Sequence, residues 1–283
     1  MTRALGLLAA VTLLGCGAQA ECELGQVRID GECRDYTPED PVQPGYVWAP
    51  APGTSWQWQL SGSIDTSIDV SMYDIDLFDA PDAKLAALRA DGRTLTCYFS
   101  AGSWEDWRDD ADDFPQDAIG AGLDGWDGEN WLDIMDPTVR SIMEARLDLA
   151  VARGCDGVEP DNVDGYANRN GLGLNATEQL DYNRFLADAA HTRGLSVGLK
   201  NDLDQLEELE PWFDWALNEE CASYGECGRL EVFTRAGKAV FHVEYVDRWS
   251  DAQGMADEVC GTVGDLDTLI KTWDLGSEWL SCP

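Results

Sequence analysis

The segment PTVRSIMEARLDLAVARGCDGVEPD, residues 137–161, decides the fold of this chain because it joins a helical pattern directly to a strand pattern. The helix begins at Pro137, a residue favoured in the first turn, and ends at Gly154, a residue favoured just after the last turn. The run DGVEPD (156–161) has the length of a strand and ends in carboxylates. A helix that leads straight into a short strand is typical of a β/α repeat.

The same alternation of strand and helix patterns extends over most of the chain. Helical patterns also occur at PDAKLAALRAD (81–91) and at TEQLDYNRFLADAAHTRG (177–194), where Thr177 is the predicted N-cap. Eight strands with helical crossovers favour an α/β fold of the (β/α)8 TIM-barrel type over a doubly wound sheet. The predicted strands are WQWQL (56–60), MYDIDLF (72–78), TLTCYFS (94–100), DGVEPD (156–161), LSVGLK (195–200), FDWALN (213–218), AVFHVEY (239–245) and DTLIKT (267–272).

We assign the predicted barrel to residues 53–283, and the segments before it indicate export. Residues 1–15 contain a short apolar run after a positive residue, which predicts an export signal rather than a transmembrane helix. The run LLGC resembles the bacterial lipobox, so we expect Cys16 to be lipidated; cleavage after Ala20 is the alternative. Residues 16–52 would then form a lipid anchor, a disulfide loop and a proline-rich linker. We expect the protein at the outer surface of the cell envelope, or secreted, with membrane contact only through the lipid.

Nine cysteines agree with export. If one carries lipid, eight remain, an even number that predicts disulfides in an oxidising compartment. Two histidines and no CxxC pair give no metal-ligand spacing, so we expect neither a metal nor a cofactor. Eight cysteines allow 105 connectivities, among which sequence proximity favours Cys22–Cys33, Cys221–Cys227 and Cys260–Cys282, with Cys97–Cys155 as the remaining pair.

The charge of the chain limits its partners. Acidic residues outnumber basic ones 54 to 19, which gives a formal net charge of −35. Such a field repels nucleic acid and anionic lipid surfaces and attracts cationic partners. Solubility alone would also account for it. We expect a monomer that does not bind nucleic acid.

Acidic residues at the predicted strand ends suggest a site. Functional groups of a (β/α)8 barrel lie at the carboxyl ends of its strands, where Asp161 ends the predicted fourth strand and Glu244 lies near the end of the seventh. Two carboxylates facing each other across a pocket are what glycoside hydrolysis requires. Spacing alone also allows ion pairs that merely hold strand ends together. Lys200 would neutralise neighbouring carboxylates in that second interpretation.

Seven blocks of sequence resemble glycoside hydrolase family 114, the endo-α-1,4-polygalactosaminidase-like proteins. They occur in order over most of the predicted barrel, and their number makes the resemblance specific. The blocks are WQWQLSG (56–62), YDIDLFD (73–79), CYFSAGSWEDWR (97–108), GCDGVEPDNVDGY (154–166), GLSVGLKND (194–202), NEECASYGEC (218–227) and GKAVFHVEY (237–245).

The resemblance implies a (β/α)8 barrel that cleaves polymers of α-1,4-linked galactosamine with one Asp and one Glu. On this chain the PDN motif gives Asp161 as nucleophile, and the HVEY motif gives Glu244 as general acid/base, in a retaining mechanism. A partly deacetylated polymer is a polycation that the negative chain would attract. Other predicted substrate-binding residues are the acids Asp76, Glu159, Asp164 and Glu219, the aromatic residues Trp58, Tyr98 and Tyr245, and Lys200 and Asn218.

Two other functions stay open from the sequence. The same barrel mouth could bind a glycan without cleaving it, as a surface lipoprotein. The enzyme could also hydrolyse a different α-linked glycan, because acids at strand ends do not specify the sugar.

Overall fold

The computed structural model describes residues 21–29, 31–37, 40–41 and 47–283. All eight predicted strands occur, and they lie parallel in one nine-stranded sheet whose last strand is antiparallel. The strands are β1 (Gln26–Ile29), β2 (Glu32–Asp35), β3 (Trp56–Gln59), β4 (Met72–Asp76), β5 (Thr94–Ser100), β6 (Ser103–Glu105), β7 (Ile119–Gly122), β8 (Glu129–Leu132), β9 (Gly157–Asp161), β10 (Ser196–Lys200), β11 (Trp215–Glu219), β12 (Val240–Val246), β13 (Asp267–Thr272) and β14 (Leu280–Ser281).

The sheet curls so that its first and last parallel strands approach each other. Its strand order is β3–β4–β5–β9–β10–β11–β12–β13–β14. Trp56 Nε1 donates to the carbonyl oxygen of Asp267 at 2.9 Å, and Lys271 Nζ donates to Gln57 Oε1 at 3.1 Å. Over the described ranges, no backbone ladder links β3 to β13. The fold is therefore α/β with a curled, mainly parallel sheet, a coarser result than the closed barrel that the sequence predicts.

Most crossovers between the parallel strands contain a helix. Between β3 and β4 the described chain has none, so the strand–helix alternation is incomplete. The predicted N-cap Thr177 is wrong, because the Asn175 side chain accepts hydrogen bonds from the backbone N–H groups of Thr177 and Glu178. The helices are α1 (Asp82–Ala90), α2 (Pro137–Arg153), α3 (Ala176–Thr192), α4 (Leu206–Leu209), α5 (Cys221–Tyr224), α6 (Glu231–Arg235) and α7 (Ala252–Val259).

Aromatic side chains fill the space inside the curl. Trp56 and Trp215 pack against Phe241, with ring centroids 4.6 and 5.4 Å away, and all three are buried. Gly198 makes room for this cluster, because a Cβ there would lie 2.4 Å from the Trp215 ring. The cluster also contains Trp58, which lies directly beneath a layer of polar residues. The interior is thus a packed floor, not a channel.

Four disulfides join distant and local parts of the chain, and all four predicted pairings are confirmed. One ties β5 to the segment before β9, and another closes the short loop that follows β11. The bonds are Cys97–Cys155, Cys221–Cys227, Cys22–Cys33 and Cys260–Cys282.

The β1–β2 hairpin packs against α3, and polar contacts join it both to α3 and to the segment between β8 and α2. Arg28 Nη2 lies 2.6 Å from Asp133 Oδ1, with both side chains buried, and the Gly25 N–H donates to Thr177 Oγ1. The predictions for the signal segment and for Cys16 fall outside the described residues, as do parts of the proline-rich linker. Among the residues described, no helix combines the length and apolarity needed to cross a bilayer.

A three-stranded antiparallel sheet between β5 and α2 was not predicted. It consists of β6, β8 and β7 in that order, and we call residues 103–132 the excursion. Its strands have only three or four residues and are separated by acidic and glycine-rich turns. Strands that short carry too little periodicity to be recognised from sequence.

Candidate active site

The site is built from the last residues of three neighbouring strands. Asp161 ends β9, Lys200 ends β10 and Glu219 ends β11. Immediately after each of them the backbone takes a left-handed conformation at a non-glycine residue, which stops the strand and fixes the preceding side chain. These residues are Asn162 (φ 60°), Asn201 (φ 48°) and Glu220 (φ 59°). Such conformations cost energy and concentrate at functional sites.

The Lys200 ammonium joins the carboxylates of the site. Its Nζ lies 2.9 Å from Glu159 Oε1, 3.2 Å from Asp161 Oδ1 and 3.4 Å from Glu219 Oε2. Burial acts to lower the pKa of Lys200, but the charges of Asp161, Glu159 and Glu219 outweigh burial and raise it well above its ordinary value. Lys200 is therefore a fixed positive charge beneath two acids.

Asp161 and Glu219 are each held by further hydrogen bonds but keep contact with solvent. Asp161 accepts from the Asn162 N–H at 2.7 Å and from the Tyr98 hydroxyl at 3.0 Å. The Asp161 side chain remains 18% exposed, and the Glu219 side chain remains 27% exposed. Glu219 accepts from Asn201 Nδ2 and from the Tyr245 hydroxyl. Both carboxylates are thus preoriented and within reach of a ligand in the cavity above them.

A second, buried carboxyl layer lies below this pair. Glu159 accepts hydrogen bonds from Trp58 Nε1 and from Lys200, and the fully buried Asp74 carboxyl lies close to it. Burial raises the pKa of Asp74 well above its ordinary value, and the neighbouring Glu159 raises it further. Burial also raises the pKa of Glu159, to about 7. Asp74 is thus a neutral acid that supports Glu159, and neither residue lines the cavity.

The predicted position of Glu244 is wrong. Its carboxylate does not line the cavity above Asp161; it is buried and accepts from the backbone N–H of Ala222 at 2.8 Å, from Ser223 Oγ at 2.6 Å and from His242 Nε2 at 3.0 Å. On β12 the neighbouring Tyr245 packs with the interior aromatic cluster, so residue 244 points to the opposite face. Burial acts to raise the pKa of Glu244, but these hydrogen bonds outweigh it and lower the pKa, the reverse of what a general acid needs.

Three other predicted substrate-binding residues differ in how far they are available to a ligand. Asp76 lines the cavity, but Arg108 binds both of its oxygens at 3.1 and 2.7 Å, so its charge is already compensated. Asn218 donates to the Asn201 side chain and helps to shape the loop after β10. Asp164 lines the cavity, and burial together with the charge of Asp161 raises its pKa to about 6.

The cavity above these groups has a volume of about 930 Å³, which suits several sugar rings. Four aromatic side chains on its rim are exposed, three of them over more than half of their surface and the fourth over 49%. Sequence analysis missed all four, because a single exposed aromatic residue carries no periodic signal. They are Trp107, Trp126, Tyr224 and Trp273.

A cluster of Cys221, Cys227 and His242 has the spacing of metal ligands but not their chemistry. The two sulfurs are joined in a disulfide, and both His242 nitrogens are hydrogen-bonded, one to Thr268 and one to Glu244. These atoms therefore hold the β11–β12 loop and do not form a metal centre.

The buried acids of the cavity predict stability that falls as the pH rises. Burial raises the pKa of Asp202 to about 8 and that of Glu129 to about 7, so the folded state holds protons that the unfolded chain releases. We expect the free energy of unfolding to decrease from pH 5 to pH 8, and this slope to be smaller in Asp202→Asn. Denaturation at several pH values measures it, with the exposed Asp109→Asn as control. An equal slope in wild type and Asp202→Asn would contradict the assignment.

Comparison with known proteins identifies the family of the chain. The family model for glycoside-hydrolase family GH114 matches residues 37–283. Ega3 from Aspergillus fumigatus, solved in complex with galactosamine, is 42% identical over 86% of this chain and 100% of its own, with a TM-score of 0.82. The glycoside hydrolase domain of PelA from Pseudomonas aeruginosa is 15% identical over 81% of this chain and 98% of its own, with a TM-score of 0.63, and shares the fold. No curated protein matches the chain. The protein is therefore a glycoside hydrolase, and it belongs to family GH114.

Proposed function

We propose that this protein is an endo-glycosidase that hydrolyses α-1,4-linked polygalactosamine, with Asp161 as nucleophile and Glu219 as general acid/base. The observation that carries the proposal is the pair of half-buried carboxylates bound to one ammonium at the floor of a large cavity. A curled sheet with its site at the carboxyl ends of parallel strands also supports a TIM-type barrel.

In this mechanism the two carboxyl groups have different tasks. Glu219 gives its proton to the glycosidic oxygen while an oxygen of Asp161 forms a bond to the anomeric carbon, and the bond from that carbon to the leaving sugar breaks. Glu219 then removes a proton from water, and the hydroxide attacks the anomeric carbon and releases Asp161. The Lys200 ammonium lies 3.2 Å from Asp161 Oδ1 and holds that carboxylate in place for the first step.

Retention of configuration is part of the proposal. Retaining enzymes hold their two carboxyl groups roughly 5–5.5 Å apart, whereas inverting enzymes need a wider gap for a water molecule. Asp161 and Glu219 each lie within ion-pair distance of the same Lys200 nitrogen. A shared cation favours the short separation.

The amino-sugar substrate is supported by the charge of the cavity and by the 42% identity with Ega3, solved with galactosamine. Acidic residues on the cavity lining far outnumber basic ones. Some are compensated, as Asp76 is by Arg108, but within the part of the chain that the structure describes Asp164 and Glu220 have no cationic side chain within ion-pair distance. Uncompensated carboxylates in a partly enclosed cavity attract a cationic polymer and bind its ammonium groups.

Oligosaccharide release from a panel of α-linked polymers tests the function. We expect new reducing ends and short oligomers from partly deacetylated polygalactosamine, and a kcat/KM that falls as salt screens the attraction. A protein that retains the polymer but generates no reducing ends would instead be the binding lipoprotein. Cleavage of only another α-linked glycan would overturn the substrate and keep the enzyme class.

Export to the bacterial envelope also belongs to this proposal. Four disulfides require an oxidising compartment in most organisms, and a polymer substrate is too large to enter a cell. The lipid anchor at Cys16 stays a prediction from the sequence.

A further inference from the structure

Trp273 stands beside the catalytic pair with much of its surface open. It follows β13, lines the cavity and is 49% exposed. One face of its indole is stacked on Tyr245, with ring centroids 4.1 Å apart and planes at 15°. The Tyr245 hydroxyl in turn donates a hydrogen bond to Glu219. An aromatic face next to a glycosidase acid is a surface on which a sugar ring can stack.

The loop that carries Trp273 is fastened from several sides. Lys271, which is buried, donates through Nζ to the carbonyl oxygens of Gly276 and Glu278. The backbone N–H groups of Leu60 and Ser61 both donate to the carbonyl oxygen of Leu275, at 3.0 and 3.2 Å. A buried lysine with no carboxylate within ion-pair distance in the described structure is costly, and here its ammonium joins this loop to Gln57 on β3. Trp273 is therefore presented rigidly, as a binding surface requires.

The order of the strands indicates on which side of the scissile bond Trp273 would contact the substrate. Asp161, Lys200, Glu219 and Tyr245 lie on β9, β10, β11 and β12, and Trp273 follows β13, so these groups occur in that order around the cavity. The nucleophile must face the sugar that becomes bound to the enzyme, while the acid must reach the oxygen of the leaving sugar. Trp273 lies beyond the acid, on the side away from the nucleophile.

We propose that Trp273, backed by Tyr245, forms the subsite for the leaving-group sugar. The part of the polymer towards its reducing end would then cross the β12–β13 side of the cavity. This inference rests on the proposed roles of Asp161 and Glu219. Trp273 is a positioning residue for one half of the substrate and takes no part in bond breaking.

Two substrates that differ only in the leaving group test the subsite. One is an α-1,4-linked galactosamine oligosaccharide, and the other is the α-fluoride of a shorter oligomer, whose leaving group occupies no sugar subsite. In Trp273→Ala we expect kcat/KM on the oligosaccharide to fall about tenfold, the worth of one aromatic contact, and kcat/KM on the fluoride to stay within about twofold. Trp273→Phe should recover most of the loss, since it keeps a ring over Tyr245.

The matched control is Trp249→Ala, an exposed tryptophan that does not line the cavity, which should change neither reaction. Equal loss on the fluoride and the oligosaccharide in Trp273→Ala would overturn the inference, because the residue would then serve the other half of the substrate or the fold. An unchanged oligosaccharide reaction would also overturn it. If the wild type cleaves another α-linked glycan, the proposed substrate fails, and the same pair of compounds in that sugar still decides the subsite.

Discussion

Replacing Glu219 with glutamine is expected to lower kcat on polygalactosamine by on the order of 10³-fold, the usual contribution of a positioned acid/base. Glutamine keeps the shape of the side chain and can still accept from the Tyr245 hydroxyl, but it cannot donate a proton to the leaving oxygen or take one from water. The fold should be retained, because Glu219 is partly exposed and ends its strand. Initial rates, with thermal denaturation as the check on folding, measure the effect. Asp161→Asn should lose at least as much, because it removes the nucleophile.

The matched control is Glu244→Gln, which separates the two glutamates. Glu244 accepts from Ala222, Ser223 and His242, so an amide there directs an N–H at a donor and should cost about 1–3 kcal/mol of stability. Its kcat per folded molecule should fall less than tenfold. A 10³-fold loss of kcat in folded Glu244→Gln, with Glu219→Gln active, would reverse the assignment and restore the role that the HVEY motif suggested.

Lys200→Met is expected to be the most destabilising change in the site. Removal of the ammonium leaves Glu159, Asp161 and Glu219 without the cation that they share, and breaking a buried ion pair in this way typically costs about 3–5 kcal/mol. The ammonium also acts to lower the pKa of Glu159, so without it that pKa should rise further and the acid limb of the pH–rate profile should move to higher pH. Denaturant unfolding and the pH dependence of kcat/KM give the two measurements.

The control for Lys200 is Lys238→Met. Lys238 also pairs with a carboxylate, Glu210, at 2.7 Å, but it lies nearer the surface, where such a pair is worth about 1 kcal/mol or less. Equal stability losses in the two variants, or an unmoved pH profile in Lys200→Met, would show that Lys200 does not organise the catalytic carboxylates.

The sequence predicted the strands of the sheet well and the direction of one side chain badly. Length, flanking glycines and helix signals were enough for all eight parallel strands. Parallel strands are buried on both faces, however, so hydrophobicity does not reveal which face a given residue joins. In HVEY, a shift of one residue exchanges Glu244 for Tyr245 at the cavity. That choice depends on how Tyr245 and Phe241 pack with the interior tryptophans, which is a tertiary property.

Sequence analysis placed Glu219 among the substrate-binding residues, and consistent phasing of the strand would have favoured it over Glu244 as the second carboxylate of the site. Trp215, Leu217 and Glu219 alternate along β11, and a large aromatic residue at the start of that series indicates the interior face. Other features were beyond reach. The neutralisation of Asp76 depends on Arg108, 32 residues away on the excursion, and no local pattern predicts that meeting.

The left-handed residues after Asp161, Lys200 and Glu219 bear on how this enzyme could be made more heat-resistant. A non-glycine residue in that conformation costs on the order of 1 kcal/mol or more, so selection for thermal survival would favour glycine at positions 162, 201 and 220. The side-chain amide of Asn201, however, donates a hydrogen bond to Glu219 and orients that carboxylate, whereas the Asn162 contact with Asp161 comes from its backbone N–H, which glycine would keep. A glycine at position 201 would therefore gain stability at the expense of turnover, and more stable variants are better sought away from this strand end.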